Sequence, residues 1–221
     1  MILARRLMRH SMNKGVIFDM DGTLWDSAEN VAASWNLAIE QSGLSGIVIT
    51  KEDMYRVMGK TMDVIADMLF PDILGSDREL LLSNCYRLEN EYLRKHGGTL
   101  YPDIRKTLEQ LKKEYHLYIV SNCQAGYIEA FLDYYGFRDL IEDNQCYGDN
   151  GKPKADNIRI LYERNELEDA VYVGDIQGDY DASKAAGVKF IHASYGFGTI
   201  DDPVPAIGTF ADLTEVVPQV L

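Results

Sequence analysis

The chain is short of cysteine, of positive charge and of long apolar runs, and each shortage excludes a class of protein. Its three cysteines, Cys85, Cys123 and Cys146, are widely spaced and odd in number. They support neither a disulfide framework nor a zinc site, and a reducing compartment is the simpler expectation. Lys and Arg number 22 against 35 Asp and Glu, a net charge of −13. Nucleic-acid binding depends on neutralising phosphates, so this balance argues against such a partner. No stretch approaches the roughly 20 apolar residues of a membrane span. The first eleven residues, MILARRLMRHS, are basic and lack the apolar segment of a signal peptide. Residues 1–11 read as a disordered or cloning-derived leader with a natural start at Met12, and the expected location is the cytoplasm. Repeats and low-complexity segments are absent.

What remains is 221 residues, 46% of them hydrophobic, enough for one core plus a small inserted domain. The apolar run Gly15-Val16-Ile17-Phe18 reads as a buried strand. Helices are predicted over 27–43, 51–69 and 77–96, with no convincing strand among them. After Gly97-Gly98 the texture alternates. Helices are predicted over 103–114, 125–135, 154–164 and 179–186. Strands are predicted at 117–120, 170–173 and 188–192, with weaker ones near 145–147 and 207–210. This alternation implies an α/β fold, a Rossmann-like parallel sheet with helices on both faces. The helical stretch reads as an inserted all-helical cap. The expected division is 12–28 and 97–221 for the core and 29–96 for the cap.

Ligands gather at the carboxyl ends of strands in such sheets, and those ends carry Asp19, Ser121 and Asp175. Asp19-Met20-Asp21-Gly22-Thr23 is the strongest local signal. One of two carboxylates spaced two apart can attack phosphorus while the other handles protons. Their mutual repulsion calls for a nearby cation. An ordinary Asp-rich turn is the bland alternative for these five residues alone.

The ordered set is more specific. Asp19-Met20-Asp21-Gly22-Thr23-Leu24, Ser121-Asn122, Lys152-Pro153, and Gly174-Asp175 with Asp179 follow one another along the chain. The set resembles the haloacid dehalogenase superfamily, specifically its phosphatases with a helical cap after the first strand, from Lys14 to about Thr199. The resemblance implies Asp19 as nucleophile, Asp21 as general acid then base, and Ser121 as the hydroxyl holding the phosphoryl group. It implies Lys152 as the counter-charge, with Lys154 the alternative if Lys152 points away. It implies Mg²⁺ on Asp19, Asp21 (through its carbonyl) and Asp175, with Asp179 supporting the metal shell. Thr23 and Asn122 are candidate substrate contacts. Asp181 reads as a helix N-terminal carboxylate only, and Cys123 as packing.

Substrate choice in that family falls to the cap. The loop Met58-Gly59-Lys60-Thr61 could face the site, with Lys60 either touching an anionic substrate or solvated. Asp21 separates this chain from relatives that cleave carbon–phosphorus or carbon–halogen bonds. Val31 stands where related sugar-phosphate mutases usually carry His. Asp26-Ser27-Ala28 with Asn36 looks most like phosphoglycolate phosphatases. The expected partner is a small phosphorylated metabolite, phosphoglycolate first, acted on by a monomer or homodimer. A mutase or phosphotransferase, a nucleotide or pyrophosphate hydrolase, and a non-enzymatic binder are the rivals.

Overall fold

Val16, Ile17 and Phe18 are fully buried at the centre of a parallel sheet in the computed structural model, which describes residues 13–44 and 46–221. The leader read over residues 1–11 lies outside the described residues. In chain order the elements are β1 (Lys14–Phe18), β2 (Trp25–Asp26), α1 (Ala28–Gln41), α2 (Lys51–Val57), α3 (Met62–Leu69), α4 (Gly75–His96) and β3 (Thr99–Leu100). Then come α5 (Ile104–Leu111), β4 (His116–Ser121), α6 (Tyr127–Tyr135), β5 (Asp143–Cys146), α7 (Tyr147–Asn150), α8 (Lys154–Arg164) and β6 (Asp169–Gly174). The chain ends with α9 (Gln177–Ala186), β7 (Lys189–Ala193), β8 (Ala206–Ile207), a 3-10 turn at Phe210–Asp212, and α10 (Leu213–Val220).

The sheet order is β5-β4-β1-β6-β7-β8, every pair parallel. Alternate residues of a strand face opposite sides. Val16 and Phe18 therefore join one core cluster, and Ile17 joins another with Tyr118, Tyr172 and Ile158. Both faces are covered, which is why the central strands are apolar throughout. Phe18 is in register with both Ile119 and Val173. Asp19, Ser121 and Asp175 therefore leave the sheet at one edge, where the strand order switches direction around β1.

Between β2 and β3 the described residues form helices only. β2 and β3 pair antiparallel, Trp25 with Leu100 and Asp26 with Thr99, where the chain enters and leaves this helical stretch. The stretch holds together around aromatics, with Trp35 stacked on Phe70 at 5.8 Å between ring centroids. Asn36 pins the segment before α2 by accepting from Ile49 N at 2.8 Å and donating to Ile49 O at 2.7 Å.

The helix expected over 51–69 is in fact two, α2 and α3, because Gly59 turns the chain with φ of 79°. The weak strand expected near 145–147 lies earlier, at Asp143–Cys146, and Tyr147 already begins a helix. The last strand is only Ala206–Ile207, and α10 follows it despite Pro218 within. No described helix is long and apolar enough to cross a membrane.

Candidate active site

Three carboxylates meet at the strand ends. Asp19 follows β1, Asp175 follows β6, and Asp179 lies in the first turn of α9. Each offers an oxygen within 4.8 Å of the others, and all three are buried. Gly22 makes room for them. Its φ of 86° suits glycine, and a Cβ there would meet Asp175 Oδ2 at 2.1 Å. Burial first, then the charge of Asp179, raises Asp19 above the usual carboxylate range, although Lys154 pulls it down. Burial, then Asp179 and Asp19, pushes Asp175 up to about 8. Asp175 Oδ2 accepts from Phe197 N at 2.7 Å, but Oδ1 is buried with no partner. A buried orphan oxygen beside two other carboxylates fits a hard divalent cation, and an all-oxygen donor set fits Mg²⁺.

The cation the structure does bring here is Lys154, not Lys152. Lys154 Nζ lies 2.9 Å from Asp19 Oδ1 and 2.6 Å from Asp179 Oδ1. Burial opposes its charge, but Asp179 and Asp19 hold the ammonium well above the ordinary lysine range. Lys152 is exposed in the loop before α8. The reason is helical geometry. Pro153 caps α8, so Lys154 is its first residue, and side chains in a helix tilt back toward the N-terminus. Asp179 lies in the same oxygen cluster as Asp19 and Asp175, where the sequence has it support the metal shell. Its Oδ1 takes Lys154, and its Oδ2 accepts from the backbone N–H of Asp175 at 3.0 Å and Ile176 at 3.2 Å. It caps α9 and anchors Lys154 while keeping its place beside Asp19 and Asp175.

Asp21 is held apart from that cluster. Ser27 Oγ donates to Asp21 Oδ1 at 2.6 Å, and Tyr127 OH donates to Oδ1 at 2.8 Å. Burial outweighs both hydrogen bonds and lifts Asp21 to about 6. That value suits a group that must give and then take a proton near neutrality.

A cavity runs from Asp19, Asp21 and Ser121 into the helical stretch. Asn122 lies on its wall and donates to Gly59 O at 2.9 Å, tying the sheet edge to the α2–α3 turn. Lys60 is exposed at the cavity mouth. Thr23 does not reach the cavity: it is fully buried, and its carbonyl accepts from Tyr195 OH at 2.7 Å. Asp181 is exposed but lies past the first turn of α9, not at its N-terminus, and accepts from Gln177 one turn earlier. Burial, then Cys146, holds the Cys123 thiol well above its usual range, consistent with packing.

Sequence reasoning missed Ser27, Tyr127 and Glu89. Glu89 had a visible signal: buried Leu81, Cys85, Glu89 and Leu93 recur every fourth residue of α4, so one charge sits in an apolar stripe.

Residues 16–193 match the sequence model of the haloacid dehalogenase-like hydrolases. A phosphoglycolate phosphatase of Aquifex aeolicus is 29% identical over 86% of this chain and 89% of its own length. One from Aliivibrio fischeri is 29% identical over 83% of this chain and 85% of its own. Among solved structures, a predicted phosphoglycolate phosphatase from Haemophilus somnus shares the fold with a TM-score of 0.77 at 21% identity, covering 95% of this chain and 99% of that one. The Rhodobacter sphaeroides protein CbbY, solved with xylulose 1,5-bisphosphate, does so with a TM-score of 0.76 at 20% identity, covering 91% and 96%.

Proposed function

This chain belongs to the haloacid dehalogenase-like hydrolases, and we propose that it is a Mg²⁺-dependent phosphatase that hydrolyses a small phosphomonoester through Asp19. The observation that carries this reading is the buried Lys154–Asp19 pair beside the unpartnered oxygen of Asp175. Asp19 carries the ionised oxygen for attack, because Lys154 stabilises its charge against the cost of burial. Attack on phosphorus forms an aspartyl-phosphate and breaks the bond to the leaving oxygen, which Asp21 protonates. Asp21 then takes a proton from water as that water attacks the same phosphorus. Phosphate leaves and Asp19 is restored. Proton transfer of this kind contributes about 10²–10⁴ in rate. Ser121 and the backbone N–H groups after Asp19 and Ser121 hold the phosphoryl oxygens. Asp19, Asp175 and the Asp21 carbonyl would hold Mg²⁺, which would supply positive charge against the negative charge that spreads over the phosphoryl group.

We assign residues 29–96 to a cap and 12–28 with 97–221 to the catalytic core, supported by the β2–β3 pair at the two crossings. The free cysteines favour a reducing, cytoplasmic setting. The names of the curated relatives make phosphoglycolate the reference substrate. The test is phosphate release from p-nitrophenyl phosphate and phosphoglycolate with Mg²⁺. Asp19→Asn is expected to abolish release while leaving the circular dichroism spectrum unchanged. Full activity in that variant would refute Asp19 as nucleophile. Isomerised sugar phosphate without free phosphate would favour a mutase instead, although apolar Val31 on the cavity wall speaks against one.

A further inference from the structure

The cavity has two unlike halves. The half at the sheet edge is polar and receives the phosphoryl group. The other half is lined by Val31, Trp35, Met54, Val57, Met62 and Ile65. Among the described residues lining the cavity, one carboxyl comes from a helix, that of Glu89, 3% exposed. Trp35 Nε1 donates to Glu89 Oε2 at 2.5 Å, which fixes the carboxyl against the wall. Tyr127 and Asp21 lie close enough that Glu89 perturbs the first and feels the second. Glu89 thus lines the same cavity as Asp21, the residue that protonates the leaving oxygen. Among the described residues lining the cavity, the sole cation is Lys60, exposed at the mouth.

A glycolate leaving group would bring a carboxylate against Glu89 and the apolar wall, with no buried cation to receive it. Desolvating a charge without a partner is costly, and like charges at short range repel. A buried carboxyl instead calls for a donor. The wall offers too few polar groups for a polyhydroxylated sugar. We propose that Glu89 selects the substrate: a phosphomonoester whose short, largely apolar leaving group ends in a hydrogen-bond donor, a hydroxyl or an ammonium, rather than a carboxylate. This deepens the phosphatase reading and rests on it.

A matched two-carbon series tests it with the full chain and Mg²⁺: 2-hydroxyethyl phosphate, 2-aminoethyl phosphate, ethyl phosphate and phosphoglycolate. The first two tell hydroxyl from ammonium. A hydrogen bond to a charged partner discriminates by about tenfold or more. One of these two is expected to exceed both ethyl phosphate and phosphoglycolate in kcat/KM by at least tenfold. Glu89→Gln, which retains an oxygen acceptor for Trp35, is expected to cut that preference over ethyl phosphate at least tenfold. Phosphoglycolate leading the wild-type series would overturn the inference and leave the phosphatase reading standing. So would an equal loss on all four substrates in the variant, the mark of a purely structural role. No phosphate release from any of the four would overturn the phosphatase reading itself, and this inference with it.

Discussion

At the scale of single residues, Lys154 and Glu89 are the two buried charges whose removal should act in opposite directions. Lys154 pairs with both Asp19 and Asp179, and all three side chains are buried. Breaking a buried ion pair from one side costs about 3–5 kcal/mol. Lys154→Met is expected to lower kcat at least a hundredfold and to shift the urea midpoint down accordingly. Lys152→Ala should change either by less than twofold, and equal losses in the two variants would contradict the assignment. Glu89 has no cation beside it. Burial first, offset in part by Trp35 and Gln124, raises it from 4.5 to about 7. A carboxyl with a raised pKa contributes stability below its unfolded value, and that contribution is lost as pH rises through the folded one. The protein should therefore lose stability between about pH 4.5 and 7, by on the order of 3 kcal/mol from this group. Glu89→Gln is expected to flatten that dependence and to be the more stable protein at pH 8, read by urea denaturation at pH 5.5 and pH 8. A stabilising substitution that costs specificity would mark Glu89 as held for function. A Glu89→Gln protein less stable at pH 8 would instead make it structural.

At the scale of elements, the turn between α2 and α3 joins the helical stretch to the sheet edge. Gly59 accepts from Asn122 and sits against Ile176, where a Cβ would come within 2.5 Å of Cδ1. Tyr55 adds a second tie by donating to Asp26 Oδ2 at 2.6 Å. Gly59→Ala forces a side chain into both a left-handed backbone and the Ile176 contact. Its cost to global stability should stay near 1 kcal/mol, because the turn is local and the Ile176 terminus can rotate. Its effect on turnover should be larger, at least tenfold in kcat/KM, because the turn closes the cavity. Steady-state kinetics alongside a denaturation midpoint separates the two, and a parallel loss of both would deny the turn a special role. This turn was only half legible in the sequence. Met58 to Thr61 read as a loop that could face the site, yet the same residues fell within the helical stretch predicted over 51–69, which Gly59 interrupts. Its contact with Ile176 pairs residues more than a hundred positions apart, which local pattern does not encode. The strand ends were legible for the opposite reason: unbroken apolar runs such as Val16 to Phe18 stop at a polar residue, and in a parallel sheet those stops fall on one edge. Lys154 stood at the start of the helix predicted over 154–164, as it does in α8, and was passed over because the motif register put the counter-charge on Lys152.

For the whole molecule, the acidity noted at the outset has an internal counterpart. The buried ionised-type side chains among the described residues are Asp19, Asp21, Glu89, Asp175 and Asp179 against Lys154 alone. Surface acids are solvated and cost little, but this imbalance lies in the interior. Lys154 can satisfy Asp19 and Asp179, and Ser27 with Tyr127 can satisfy Asp21. Asp175 is left with an orphan oxygen and a pKa pushed to about 8. A divalent cation would remove that deficit, so its binding should be linked to folding. Ligand at a hundred times its Kd stabilises by about 2.7 kcal/mol. For a chain of this size each kcal/mol raises Tm by about 2–4 °C. Saturating Mg²⁺ is therefore expected to raise the melting temperature of the metal-free protein by about 5–10 °C at pH 8, and EDTA should reverse the rise. Asp175→Asn should lose most of the Mg²⁺ response. Its metal-free form should melt no lower than that of the unaltered protein at pH 8, since a neutral amide replaces a charge that has no counter-ion. A melting temperature indifferent to Mg²⁺ in the unaltered protein would mean that the acids at the strand ends do not form a metal site.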